Sequence, residues 1–223
     1  MNQHYSTVSR TASSVLATNK VLRNTYMLLA LTLLFSGFTA ALSMLMNMPP
    51  MTYLISVISA MVIAMFVLPR FANSTTGIGI VFLVTGLLGF GLGPILSMYD
   101  ALPNGSNIIT MSLAGTGIIF LGLSAYALVT QKDFSFLGGF LMVGFLLVLL
   151  AALANIFLQI PAMSLAISAV VIMIMSGFIL HDTSRIVHGG ETNYILATIG
   201  LYMTIFNIFV SLLQILGIMG NDD

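Results

Sequence analysis

The chain has 223 residues, 59% of them hydrophobic and only 5% charged, with six Lys and Arg, six Asp and Glu and a formal net charge of zero; its mean hydropathy is +1.11. A water-soluble domain is roughly 45–50% apolar and about 25% charged, so there is too little charge here to cover a soluble surface, and the chain reads as an integral membrane protein. The same numbers exclude a nucleic-acid binder, which needs clustered Lys and Arg, and the lack of cysteine excludes disulfides, iron–sulfur clusters and thiol catalysis.

The first 23 residues are polar, carry Arg10, Lys20 and Arg23, and contain no early apolar run. They read as a flexible cytoplasmic tail rather than a cleavable signal, so the first apolar span both targets and anchors the chain. A helix rises about 1.5 Å per residue through a hydrocarbon layer about 30 Å thick, so roughly 20 apolar residues cross it. Uncharged runs of that length predict spans over 26–46, 51–68, 77–99, 107–130, 137–158, 162–180 and 194–219. The breaks are Asn47-Met48-Pro49-Pro50, Pro69-Arg70, the turn around Pro103-Asn104-Gly105-Ser106, Gln131-Lys132-Asp133, Gln159-Ile160-Pro161 and the polar stretch His181 to Asn193. The runs lack the alternation of a transmembrane strand and exceed its length, which disfavours a β-barrel. The predicted fold is an all-α seven-transmembrane-helix bundle over 24–220.

Basic residues in short loops favour the cytoplasmic side. With the N-terminus placed there, Arg10, Lys20, Arg23, Arg70, Lys132 and Arg185 all fall inside, and the outside loops and the C-terminal Asn221-Asp222-Asp223 hold none.

The third span is glycine-rich, and Gly89 and Gly93 lie four apart, the spacing that lets helix backbones approach in lipid. This predicts packing inside the bundle, with a dimer face or a hinge at Gly91-Leu92-Gly93-Pro94 as the alternative. Gly115 and Gly122 form a looser version on the fourth span. The sixteen methionines read as adaptable packing. On the seventh span Thr204, Asn207, Ser211 and Gln214 follow three-and-four spacing. A polar stripe in lipid must face protein or water, so this span belongs in the interior.

Chemistry concentrates between His181 and Tyr194. The sixth span should continue helically to about His188, end at Gly189-Gly190, and give way to a seventh capped by Thr192 or Asn193. Asp182 then sits near the end of the hydrocarbon layer, where desolvation and the negative helix end both oppose its charge. Arg185, three residues on, is its expected local partner. Two readings stay open: an ion pair anchoring the helix end, or a protonatable switch or ion ligand in the bundle interior. Glu191 reads as a helix-start charge that the glycines separate from the rest. No His-Glu-x-x-His pair, arginine series or pair of intramembrane acids supports metal catalysis, voltage sensing or intramembrane proteolysis, so a non-enzymatic protein without cofactor is expected.

Several stretches together carry a resemblance: Lys20-Val21-Leu22-Arg23-Asn24-Thr25-Tyr26, Gly93-Pro94-Ile95-Leu96, Lys132-Asp133-Phe134-Ser135-Phe136-Leu137-Gly138-Gly139, Ala154-Asn155-Ile156-Phe157-Leu158-Gln159, His188-Gly189-Gly190-Glu191-Thr192-Asn193-Tyr194 and Asn207-Ile208-Phe209-Val210-Ser211-Leu212-Leu213. From about residue 18 onward the chain resembles the Bax inhibitor, or transmembrane Bax inhibitor motif, family. It is most similar to the bacterial inner-membrane members described as modulators of the membrane-anchored ATP-dependent protease FtsH. The resemblance implies a seven-helix bundle with the last helix central and that protease as partner, which the tail residues Arg10, Lys20 and Arg23 could engage. It also implies, for some relatives, a calcium leak gated by two aspartates. Asp182 matches the first; Thr204 stands at the second, with Asn207 one turn on, so the two-carboxylate switch is incomplete. Arg70 matches a basic residue that pairs with those aspartates.

Overall fold

A computed structural model describes residues 3–220, with the side chains of Thr18 and of residues 20–220. Among these residues, seven helices long and apolar enough to cross a membrane follow one another: α1 (Gln3–Leu45, apolar from Lys20), α2 (Met51–Phe71), α3 (Thr75–Asp100), α4 (Gly105–Thr130), α5 (Leu137–Leu158), α6 (Pro161–Val187) and α7 (Tyr194–Met219). Among the described residues there is no strand. Helices are what hydrocarbon demands, because each satisfies its own backbone groups along its length. The spans expected from the sequence are all present, and their ends differ by up to seven residues, apart from α1, whose helix begins at Gln3, ahead of its apolar part and within the segment expected to be a flexible tail. α2 outruns its expected end at Leu68 because residues Ile63–Val67 widen into a π turn, with Leu68 N–H bonding to Ile63 O, which accommodates Pro69 without breaking the helix. Arg10 lies outside the residues whose side chains are described.

The last helix is the centre of the bundle. α7 packs against α1, α3, α4 and α6, whereas α5 rests on α6 and α2 on α3. Tyr202, Ile208 and Leu213 of α7 are buried with almost no exposure, while α5 turns side chains such as Phe157 (87% exposed) outward. The polar face of α7 is accommodated rather than solvated. Thr198 donates to Tyr194 O at 2.7 Å and Thr25 O at 3.3 Å, Asn207 donates to Met203 O at 2.8 Å, and Gln214 accepts from Ser168 of α6 at 2.7 Å.

The glycines of α3 are used inside the chain. A Cβ at Gly89 would strike Ser36 of α1, one at Gly93 would strike Ser43 of α1, and one at Gly91 would lie 2.8 Å from Ser56 of α2. α3 is thereby clamped between two neighbours, and the intramolecular reading of Gly89 and Gly93 describes what is seen. On α4, a Cβ at Gly115 would approach Leu212 at 3.2 Å, but Gly122 faces open space.

Candidate functional site

The basic end of the bundle is built by three turns. α6 closes with a Schellman motif: Gly189 takes φ +74°, its N–H reaches Ile186 O at 3.2 Å, and Gly190 N–H reaches Arg185 O at 2.8 Å. Asn193 then caps α7, its side-chain oxygen accepting from Ile195 and Leu196 N–H at 2.9 and 3.2 Å. Its Nδ2 donates to Ala72 O and Asn73 Oδ1 at 2.9 and 2.8 Å, tying the start of α7 to the loop before α3. On the other side Ser184 accepts from Phe134 N–H at 2.9 Å and donates to Lys132 O at 3.2 Å, and the His188 ring reaches Gln131 O at 3.1 Å. The turn between α4 and α5 is thus bound to the end of α6.

Between the end of α6, the turn that follows it and the first turns of α7 lies a pocket of about 100 Å³ lined by Asp182, Arg185, Glu191, Ile186, Leu196, Ala197 and Gly200. A buried water needs about 10–15 Å³ of such space, so the pocket has room for several waters or a partly hydrated cation. Asp182 Oδ1 lies 2.9 Å from His181 Nδ1, with both side chains largely shielded. Gly200 leaves the α7 backbone open to the carboxylate, and a Cβ there would sit 3.5 Å from Asp182 Oδ2. The expected pairing of Asp182 with Arg185 is not made. Arg185 Nη2 turns to Glu191 Oε2 at 3.5 Å and to Gly190 O at 3.3 Å. The reason is the Schellman turn, which folds the chain back so that Glu191 lies over Arg185; the glycines bring Glu191 into the site instead of separating it.

The remaining candidates disperse. Thr204 is buried one turn deeper than Gly200, donates to Gly200 O at 3.1 Å, and does not line the pocket. Asn207 is a further turn away and bonded within α7. Arg70 is exposed at the end of α2 and forms no salt bridge among the described residues. Lys20 and Arg23 are exposed on α1. Sequence reasoning missed a hydroxyl cluster that begins one residue after Asp182, in which Tyr26 of α1, Ser124 of α4 and Thr183 of α6 hydrogen-bond mutually. No local spacing links three residues so far apart in the chain; only the adjacency of Thr183 to Asp182 pointed there.

The family model described as inhibitor of apoptosis-promoting Bax1 matches residues 18–221. The chain belongs to the Bax inhibitor family. Among relatives of this Bax inhibitor family chain, an Escherichia coli protein named modulator of FtsH protease YccA is 52% identical over 214 residues, 96% of this chain and 97% of that one. The counterpart from another Escherichia coli strain, at the same identity, is named an inner membrane protein. A Vibrio cholerae membrane protein is 48% identical over the full length of both chains. Such a family member, with seven spans, is a multi-pass protein of the bacterial inner membrane.

Proposed function

We propose that this Bax inhibitor family protein modulates the membrane-anchored ATP-dependent protease FtsH, slowing its action on other membrane proteins. The observation that carries the reading is the near full-length identity with a relative named as a modulator of that protease. In this reading the N-terminus is cytoplasmic and the C-terminus outside, the arrangement that the distribution of the six basic residues favours. The polar segment ahead of the apolar part of α1, with Arg10, Lys20 and Arg23, is the handle that the protease grips. The seven-helix bundle then resists extraction, because unfolding in lipid exposes backbone groups with nothing to satisfy them. A slowly processed substrate occupies the protease, so competition requires no active site and the protein is not an enzyme. The test is the half-life of the chain itself, in cells with and without the protease. Deleting residues 2–20 should leave membrane insertion intact and abolish its protease-dependent turnover. Turnover unchanged by the deletion would remove the tail from the mechanism.

One observation favours a second reading, a pH-sensitive cation leak with calcium as the candidate ion. Asp182 and Glu191 line the same pocket, which offers two carboxylates to a cation that favours several oxygens. Calcium-loaded liposomes holding the purified protein should leak less after Asp182→Asn or Glu191→Gln and be unaffected by Thr204→Val. Equal flux through all four proteins would dismiss the leak.

A further inference from the structure

Between α1 and α4 the bundle leaves a cleft of about 400 Å³, with α3 and α7 behind it. Its walls are aliphatic and aromatic, and on α1 it runs from Leu33 to Met44. The hydroxyls that border it are already engaged. Ser36 donates to Tyr202, Tyr202 donates to Thr85 O at 3.3 Å, and Thr116 donates to Ser112 O at 2.7 Å. The cleft therefore offers its occupant neither a charge nor an unmet hydrogen bond, and the complementary ligand is a hydrocarbon. Its mouth opens on the flank of the bundle, where Gly37 and Ala41 are exposed and Leu113 is 58% exposed, at the level of the apolar spans. What reaches that mouth comes from the bilayer.

Size distinguishes an acyl chain from a helix. Leu33 to Met44 is eleven steps, about 16.5 Å at 1.5 Å per residue. Spreading 400 Å³ of space open to atom centres over that length gives a channel about 5.5 Å across for those centres, or about 8 Å from wall to wall once a radius of about 1.4 Å is added on each side. A helix with side chains is about 10–12 Å across. A single hydrocarbon chain is the slimmer object that fits. We propose that this cleft binds one acyl chain of a membrane phospholipid, which enters laterally between α1 and α4 and lies against Tyr202 and Phe206 of the central helix.

The structure also supplies the control. A Cβ at Gly37 or Gly117 would meet nothing within 4 Å, and both residues border the cleft. Gly37→Leu with Gly117→Leu thus adds bulk at the border of the cleft at two points where a Cβ meets no neighbour. The full chain is reconstituted in vesicles of phosphatidylethanolamine and phosphatidylglycerol that contain a trace of phosphatidylethanolamine carrying a diazirine on one acyl chain. After irradiation, adducts are mapped by mass spectrometry. The expected result is saturable labelling of cleft residues, including Tyr202 and Phe206, which line the cleft and are 1% and 9% exposed. That labelling should be lost in the double variant, while labelling of the outward face of α5 stays unchanged. Unlabelled Tyr202 and Phe206 in the wild-type chain would overturn the proposal. So would cleft labelling that survives the double substitution, or cleft peptides cross-linked to a second copy of the chain.

Discussion

Gly89→Ala tests the packing argument at its tightest point. A methyl at Gly89 would overlap the carbonyl oxygen of Ser36, the Thr39 hydroxyl and the Ser36 hydroxyl. The obstacle includes backbone, so no rotamer change relieves it, and α1 and α3 must separate by about 1 Å to restore ordinary contact. A gap of about 0.5–1 Å forfeits a quarter to a half of each dispersion well along the seam, and overpacking of this kind costs roughly 1–3 kcal/mol. The separation also strains the hydrogen bond from Ser36 to Tyr202, which puts the loss at the upper end, about 3 kcal/mol. For a chain of this size that is about 6–12 °C in midpoint, at roughly 2–4 °C per kcal/mol. Gly79→Ala on the same helix is the matched control, since a Cβ there meets nothing within 4 Å. It should gain about 0.5–1 kcal/mol from the better helix former. Thermal unfolding of both variants in one detergent decides the matter. Shifts of the same sign and size would refute the account of how α1 and α3 meet.

Asn193→Ala should free the first turn of α7 by removing a cap worth about 0.5–2 kcal/mol, seen as faster amide exchange at Ile195 and Leu196; unchanged rates there would contradict the cap. In the turn between α4 and α5, hydrogen bonds from Ser135 hold the Asp133 carboxyl below the usual carboxylate range, helped by the nearby His188 and His181. A depressed carboxylate supports its turn above its ordinary value and loses that support as pH falls through the lowered one. The Ser135 amide signal should therefore titrate below about 3.9, and Ser135→Ala should bring the Asp133 midpoint back up.

The bundle was legible because charge is so scarce: long uncharged runs, turn residues between them and basic residues confined to the N-terminal segment and to alternate breaks leave little choice of span. The close approach at Gly89 and Gly93 was legible from four-residue spacing, and the burial of α7 from its stripe of Thr204, Asn207, Ser211 and Gln214. The site was legible only in part. Asp182 and Arg185 do share a pocket, but three-residue spacing says that two side chains can meet, not that they do. The turn at Gly189 and Gly190 reverses the chain and hands Arg185 to Glu191, a tertiary event with no periodic signature. Tyr26, Ser124 and Thr183 come from three helices and could not be grouped before those helices were packed.

We propose that this protein slows the membrane protease by occupying it. The direct measurement is the half-life of a known membrane substrate of the protease in cells making none of this protein, the full chain, or the chain lacking residues 2–20. The account predicts that the full chain lengthens the substrate's life and that the truncated chain, held by the bundle but not consumed, lengthens it further. A substrate half-life indifferent to both forms would contradict it and leave ion flux through the Asp182 pocket as the reading to pursue.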